Sequence, residues 1–209
     1  RIAETRDRRD DALALFDGVA ASGAEPWAER AAEVAAHARR IRDVEARRRH
    51  ALELRERWHA ANAAGDATAE RGVLVELLAV ADEDALRERL AVLAVAAGAP
   101  DGTDRAVDAV RRGSHEPALL AVIVGEGNRK ASDHPKDAIA LLRLAHRAGA
   151  LDPQSSVLFA SSLAASGRWA EAGKAYQDLA SADASRYLDA ARAYAKGGEG
   201  RKALAAVRA

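Results

Sequence analysis

The chain has 209 residues, and its 32 basic and 32 acidic side chains give a formal net charge of zero, which argues against a dedicated nucleic-acid binder. It contains no cysteine, so disulfides, thiolate metal sites and cysteine nucleophiles are excluded. Aromatic residues make up only 4% of the chain against 49% apolar residues, many of them alanine, and this composition favours many closely packed helices over one thick core.

Two helical segments are predicted in the first third of the chain. Residues 1–25 have the pattern of a lone second helix of a hairpin, with Phe16 on its apolar side and Pro26 at its boundary. Nothing in residues 26–63 stops a helix, and a continuous helix there would be about 55 Å long. We expect one long helix, or two nearly collinear ones. The alternative is an irregular repeat whose turn is hidden in a charged stretch such as Arg47-Arg48-Arg49.

Turn residues recur at nearly constant intervals along the remaining chain. Helical patterns end at Gly65, Gly98, Asp133, Gly167 and Gly198, which lie 33, 35, 34 and 31 residues apart. Alanines follow the same period, because Ala172 lies 34 residues after Ala138 and 31 residues before Ala203. Such regularity predicts tandem helix–turn–helix units.

The clearest unit begins at Pro153. Asp152 before a proline is a favourable helix start, and Gly167 ends the first helix. Apolar stripes with helical spacing follow, at Val157, Phe159, Ala160 and Leu163 on the first helix and at Trp169, Ala172, Tyr176 and Leu179 on the second. We expect Ala172 to be small so that the two helices cross closely, and Tyr176 to fill the space between this unit and the next.

This pattern resembles the tetratricopeptide repeat (TPR), a helix–turn–helix unit of about 34 residues. The family has a small residue in the first helix, glycine at the turn, Glu-Ala early in the second helix, an aromatic residue four positions later and often Asp-Pro at the boundary. The matching residues here are Ala160, Gly167, Glu171-Ala172, Tyr176 and Asp152-Pro153. The resemblance is good over residues 117–209 and weaker over residues 50–113. It implies an all-α fold, a right-handed α-solenoid of stacked antiparallel helix hairpins.

We predict that residues 1–209 form a single TPR-like superhelical array. Its predicted parts are the second helix of a partial repeat (1–25), a long helix with its partner helix (26–82) and four TPR-like units (83–116, 117–152, 153–183 and 184–209). The chain lacks an initiator methionine and starts and ends in helical-looking sequence, so we expect it to be excised from a larger protein.

Several motifs imitate chemical sites. Gly125-x-Gly127 is similar to part of a phosphate-binding loop, but the third glycine and a βαβ pattern are missing, so we expect a glycine-weakened helix with a kink or a close helix approach. The six histidines include no pair at i, i+4, and no base is placed by sequence for Ser161-Ser162, which we expect to face a groove. We therefore predict no catalytic residue, cofactor or metal, and no enzymatic activity.

The run RRIRDVEARRR at residues 39–49 has six arginines against Asp43 and Glu45. On a helix these charges cover most of the circumference, so a solvated surface with salt bridges is expected. The alternative is a contact for an acidic partner or a polyanion, because arginine suits bidentate recognition of carboxylate or phosphate. Nucleic acid is disfavoured, since only Trp58 lies near enough for base stacking.

In the TPR family, the first helices of successive units line a concave groove that holds the partner. The resemblance therefore implies partner contacts at Arg55, His59 and Asn62, at Gln154, Val157 and Ser161, and at Leu188, Arg192 and Lys196. At the two positions where some members carry a lysine and an asparagine that grip a terminal carboxylate, this chain has Val157 and Ser161 in one unit and Leu188 and Arg192 in the next. We expect an extended peptide or a partner helix instead.

The expected function is a non-catalytic protein–protein interaction scaffold. Similar bacterial repeat arrays often belong to envelope assemblies, including those of exopolysaccharide secretion, and the bias towards alanine and arginine suggests a bacterium. The alternative is a cytosolic regulatory domain that senses a peptide or controls an attached effector domain. We expect no nucleic-acid partner and no membrane insertion, because the unbroken apolar runs are far shorter than the ~20 residues of a span. The compartment, periplasm or cytoplasm, and the oligomeric state stay open.

Overall fold

The computed structural model describes residues 2–23 and 26–208, with side chains from residue 8 onwards. All regular secondary structure in these ranges is helical and forms eleven helices. The predicted fold class, an all-α arrangement of stacked antiparallel helix hairpins, is confirmed. Contacts between Cα atoms divide the chain into two compact units, Arg1–Ala81 and Asp82–Ala209. The assignment of residues 1–209 to one array, with the boundaries given above, stays a prediction.

The first unit is built around one long helix. Helix α2 (Trp27–Ala64) runs for 38 residues without a break, which confirms the long helix predicted over residues 26–63. Helices α1 (Ile2–Ala21) and α3 (Ala67–Val80) both pack on it. Helix α2 ends at Gly65, where a φ of 68° lies in the left-handed region that glycine adopts without steric cost.

The first unit buries small residues in one half of α2 and large ones in the other. Ala28, Ala31 and Ala35 are buried in the half of α2 that lies along α1. Leu54 is buried further along, where α3 contributes the buried Leu74 and Leu77. Because alanine has a small side chain, these three residues bury little apolar area between α1 and α2.

The second unit consists, in the residues described, of four successive helix hairpins. Its helices are α4 (Asp84–Ala96), α5 (Gly102–Arg111), α6 (Pro117–Lys130), α7 (Pro135–Arg147), α8 (Pro153–Ala165), α9 (Trp169–Ala180), α10 (Arg186–Lys196) and α11 (Gly200–Arg208). Each helix packs on the next, and α6 also contacts α4 and α8. The first helices of these neighbouring hairpins therefore lie side by side. The predicted turns at Gly98, Gly167 and Gly198 all have positive φ.

Helix α6 passes through both glycines of the Gly125-x-Gly127 motif, as expected for a helix and not for a phosphate loop. A Cβ atom added at Gly127 would lie 2.8 Å from both Cγ and Cδ2 of the buried Leu142 on α7. A Cβ atom at Gly125 would meet no atom within 4 Å. The close approach of α6 and α7 therefore depends on the missing side chain at Gly127 and not on the one at Gly125.

These two glycines form a matched pair for a stability test. We expect Gly125→Ala to stabilise the chain by up to about 1 kcal/mol, because alanine is the better helix former. Gly127→Ala is expected to cost about 1–3 kcal/mol, because the added methyl overlaps Leu142. Urea denaturation followed by circular dichroism measures both changes. Stabilisation by both substitutions would show that α6 and α7 are not in close contact.

Candidate functional site

A cleft of about 350 Å³ lies between α8 and the turn that leads into α10. Gln154, Val157 and Leu158 of α8 line one side, and Leu179, Ala182, Asp183 and Arg186 line the other. Gln154 and Val157 are two of the contact residues predicted from the sequence. The structure therefore brings part of the predicted site together.

The walls of this cleft are mainly apolar. Val157, Leu158 and Leu179 are half-buried, so each leaves part of an apolar side chain facing solvent. Partly exposed aliphatic side chains around a concave space, with a few polar groups at the edge, are typical of a site for an apolar side chain. The volume is large enough for one or two side chains of a partner.

The polar edge of the cleft is a fixed set of charges. The Arg186 guanidinium lies 3.1 Å from Asp183 Oδ2 through Nε and 3.2 Å from Asp189 Oδ2 through Nη1. Asp183 Oδ1 accepts hydrogen bonds from the hydroxyl (2.7 Å) and the backbone N–H (3.1 Å) of Ser185, and these bonds lower the pKa of the Asp183 carboxyl. The carboxylates already pair with Arg186, so this edge presents an ordered polar rim and little net charge.

The start of α8 is anchored by a hydrogen-bond chain. Asp152 Oδ1 accepts from the Ser155 backbone N–H at 2.7 Å, and Asp152 Oδ2 accepts from the Ser155 hydroxyl at 2.9 Å. Both bonds favour the carboxylate and lower its pKa, the backbone bond having the larger effect. The Ser155 hydroxyl also accepts from Asn128 Nδ2 of α6 at 2.9 Å. This chain ties the first helices of two hairpins together and fixes the end of α8 that carries Gln154 and Val157.

The two serines on α8 do not both face a groove, which corrects the sequence interpretation. Ser161 is half-buried and its hydroxyl donates to the Leu158 carbonyl at 2.9 Å. Ser162 is 1% exposed, and its hydroxyl has no hydrogen-bond partner. Ser162 faces the interior between packed helices, because consecutive residues on a helix point in different directions.

The predicted contact residues of α10 share one exposed face. Leu188, Arg192 and Lys196 are four residues apart, and all three are exposed. Arg192 Nη1 lies 3.6 Å from Asp189 Oδ1, and Lys196 Nζ lies 4.8 Å from the centre of the Trp169 ring. They lie outside the cleft lining, so the role of this face in partner contact stays a prediction.

The other predicted residues, Arg55, His59 and Asn62, belong to α2 in the first unit. Arg55 is half-buried, whereas His59 and Asn62 are exposed. The His59 ring centre lies 4.8 Å from that of Trp58. Partner contact at these three residues also stays a prediction.

Sequence reasoning missed Leu158, Leu179, Asp183 and Arg186 as cleft residues. Leu179 was predicted only on the apolar stripe of the second helix, and it reaches the cleft because it is the last residue but one of α9. The stretch Asp183-Ala184-Ser185 carries a turn signature, an Asp side chain bonded to the backbone two residues later. That signal could have placed the turn, but not its proximity to α8.

No helix in the described ranges is both long enough and apolar enough to cross a membrane. Within the same residues, His, Asp and Glu side chains form no group of three or more that could hold a metal ion.

No family model matches the chain, and no curated protein matches it either. Among solved structures, the chain is similar to the crystal structure of the MamA protein, with 15% identity, a TM-score of 0.39, and coverage of 76% of this chain and 88% of that one. It is also similar to a structure described as MamA MSR-1 C2, with 17% identity, a TM-score of 0.36, and coverage of 76% and 93%.

Proposed function

We propose that the chain is a protein-interaction scaffold that binds a segment of another protein along the first helices of its second unit. The observation that supports this most is the mainly apolar cleft between α8 and the start of α10, which contains the predicted residues Gln154 and Val157. An apolar side chain of the partner would fill the cleft, and its backbone would continue along α10.

Two further features of the second unit favour this function. Helix α10, which begins at the cleft, has an exposed face that carries Leu188 and the two cations Arg192 and Lys196. The hydrogen-bond chain from Asp152 fixes the α8 wall before a partner arrives, and such preorganisation lowers the entropic cost of binding. An extended peptide or a helix of the partner fits this arrangement.

The place of this scaffold in a bacterial envelope or exopolysaccharide-secretion assembly is a finer proposal that rests on the sequence resemblance alone. The alternative, a cytosolic domain that senses a peptide or controls an attached effector, rests on the same resemblance. A signal peptide in the parent gene would favour the first, and an attached DNA-binding or kinase domain would favour the second.

Selection of random peptides on phage against the full chain tests the proposed site. We expect the enriched peptides to carry a large apolar residue and to lose about tenfold or more in affinity when Val157 is changed to Asp. The matched control is Val207→Asp on the exposed face of α11, which should leave the affinity unchanged. Failure of Val157→Asp to weaken any selected peptide, with the fold intact by circular dichroism, would overturn the cleft as the binding site.

Changing Arg192 and Lys196 together to glutamate tests the extension of the site onto α10. We expect the affinity for the same peptides to fall roughly tenfold, mostly because the charge on the exposed face of α10 is reversed, without unfolding of the chain. Isothermal titration at two salt concentrations measures the effect and its screening. If the affinity stays the same while Val157→Asp lowers it, the partner is confined to the cleft.

A further inference from the structure

The first unit contains a second and larger cleft, between α1 and α2, with a volume of about 940 Å³. Leu13 and Phe16 of α1 and Ala38 and Ile41 of α2 form its apolar floor. Phe16 is 38% exposed and Ile41 is 45% exposed, so two large apolar side chains are left facing solvent. We call this feature the α1–α2 cleft.

The apolar floor continues along both helices beyond the cleft. Val19 follows Phe16 by three residues, and Val34 precedes Ala38 by four, and both valines are more than two-fifths exposed. From Val34 to Arg48, the floor and its rim extend about 21 Å at ~1.5 Å per residue. Contiguous exposed apolar surface of this kind on a soluble domain is typical of a protein-binding site.

The charged residues that line the α1–α2 cleft include two ion pairs and three residues outside them. Arg9 lies 2.9 Å from Glu45, and Arg42 lies 3.6 Å from Asp10, so these four charges compensate one another across the two helices. Three further charged residues line the cleft, namely Asp43, Arg48 and Arg49. Among the described residues none of the three has an ion-pair partner within 4 Å. Among the described lining residues, two guanidinium groups against one carboxylate remain outside ion pairs, so this part of the lining is basic.

We propose that the α1–α2 cleft binds an acidic amphipathic helix of another protein, about 14 residues long. The apolar face of that helix covers Phe16 and Ile41, and its carboxylates pair with Arg48 and Arg49. Arginine suits this role, because its planar fork matches a carboxylate in a bidentate way. A bound helix along α1 and α2 would complete a three-helix bundle over the exposed floor.

The charge pattern disfavours two other occupants. A second copy of this chain would bring the same basic end and the same excess of arginine on residues 39–49 onto the interface, with like charges opposing each other. A nucleic acid would need aromatic side chains for stacking along a basic groove, but Phe16 is the sole aromatic among the residues lining the cleft.

The proposal predicts the binding preference of two synthetic probe peptides. Each probe has about 18 residues, enough for helix formation, with leucine at i, i+3, i+4 and i+7 and either glutamate or lysine at the remaining positions. We expect the acidic probe to bind the full chain about tenfold or more tightly than the basic one, measured by fluorescence anisotropy at physiological salt. Equal affinity for the two probes would overturn the proposal.

Substitutions in the first unit test whether the acidic probe binds in the α1–α2 cleft. Arg48→Glu with Arg49→Glu should weaken the acidic probe about tenfold or more, and Phe16→Ser should do so independently. The matched control is Arg201→Glu with Arg208→Glu on α11, which makes the same charge change on exposed residues and should leave the affinity as it is. An equal loss in the control pair would mean that the net charge, and not the cleft, attracts the probe.

Two measurements distinguish the other occupants. Sedimentation equilibrium that shows a dimer dissociated by Phe16→Ser would overturn the proposal in favour of a second copy. Tighter binding of a single-stranded oligonucleotide than of the acidic probe, abolished by the Arg48 and Arg49 changes, would overturn it in favour of a polyanion. Neither result depends on the cleft beside α8, because the variants lie in the first unit and leave Val157 unchanged.

Discussion

Replacing Ala172 with arginine is expected to lower the free energy of unfolding by about 4 kcal/mol or more, a large part of the stability of an average domain. Ala172 is 0% exposed and belongs to a buried cluster with Phe159 and Leu163 of α8 and Ala138 of α7. The longer side chain has no room there, and its charge would be buried without a partner. Thermal unfolding followed by circular dichroism should show a midpoint lower by roughly 10 °C.

The matched control for this substitution is Ala170→Arg on the same helix. Ala170 is exposed, so the added side chain extends into solvent and the midpoint should change by little. Because both variants carry the same extra charge, their difference isolates burial. Equal midpoints for the two variants would contradict the packing of α9 against α8.

The second large effect is expected at Gly173, one residue further along α9. A Cβ atom there would lie between 2.6 and 2.9 Å from three ring carbons of Tyr194 on α10. Tyr194 is 3% exposed, and its hydroxyl donates to Gln177 Oε1 at 3.0 Å, so the ring cannot easily move aside. We expect Gly173→Ala to destabilise the chain by about 2 kcal/mol, although alanine is the better helix former.

A second background tests the cause of that loss. Tyr194→Leu removes the ring and leaves space above Gly173, so Gly173→Ala should cost much less in this background than in the unchanged chain. A double-mutant cycle by urea denaturation gives the coupling between the two residues, which we expect to exceed about 1 kcal/mol. A coupling near zero would show that the α9–α10 contact does not depend on the missing side chain at Gly173.

The predictable part of this fold follows from local rules. Helix α2 was predictable because nothing in residues 26–63 ends a helix, and its end was predictable because Gly65 can adopt a positive φ. Ala172 was predictable as a buried residue because small residues recur at a fixed period in the sequence. Such a period indicates that pairs of helices cross closely in each repeat.

The unpredictable part depends on distances between residues far apart in the chain. The α1–α2 cleft lies between helices that bring together residues as far apart in sequence as Arg9 and Glu45, which are separated by 36 positions. The sequence alone shows both charges, but not which arginines are left without a partner. The cleft beside α8 likewise depends on the length of the turn before Arg186, and Ser162 is buried although its neighbour is half-exposed.

The contacts in the second unit connect helices that follow one another along the chain or lie one hairpin apart. A pulling force between α4 and α11 would therefore meet no single clamp that holds the whole unit, and a terminal hairpin would detach first. Each step would release about 30 residues, or roughly 100 Å of extended chain. The second unit would then lengthen under load in small steps, one hairpin at a time.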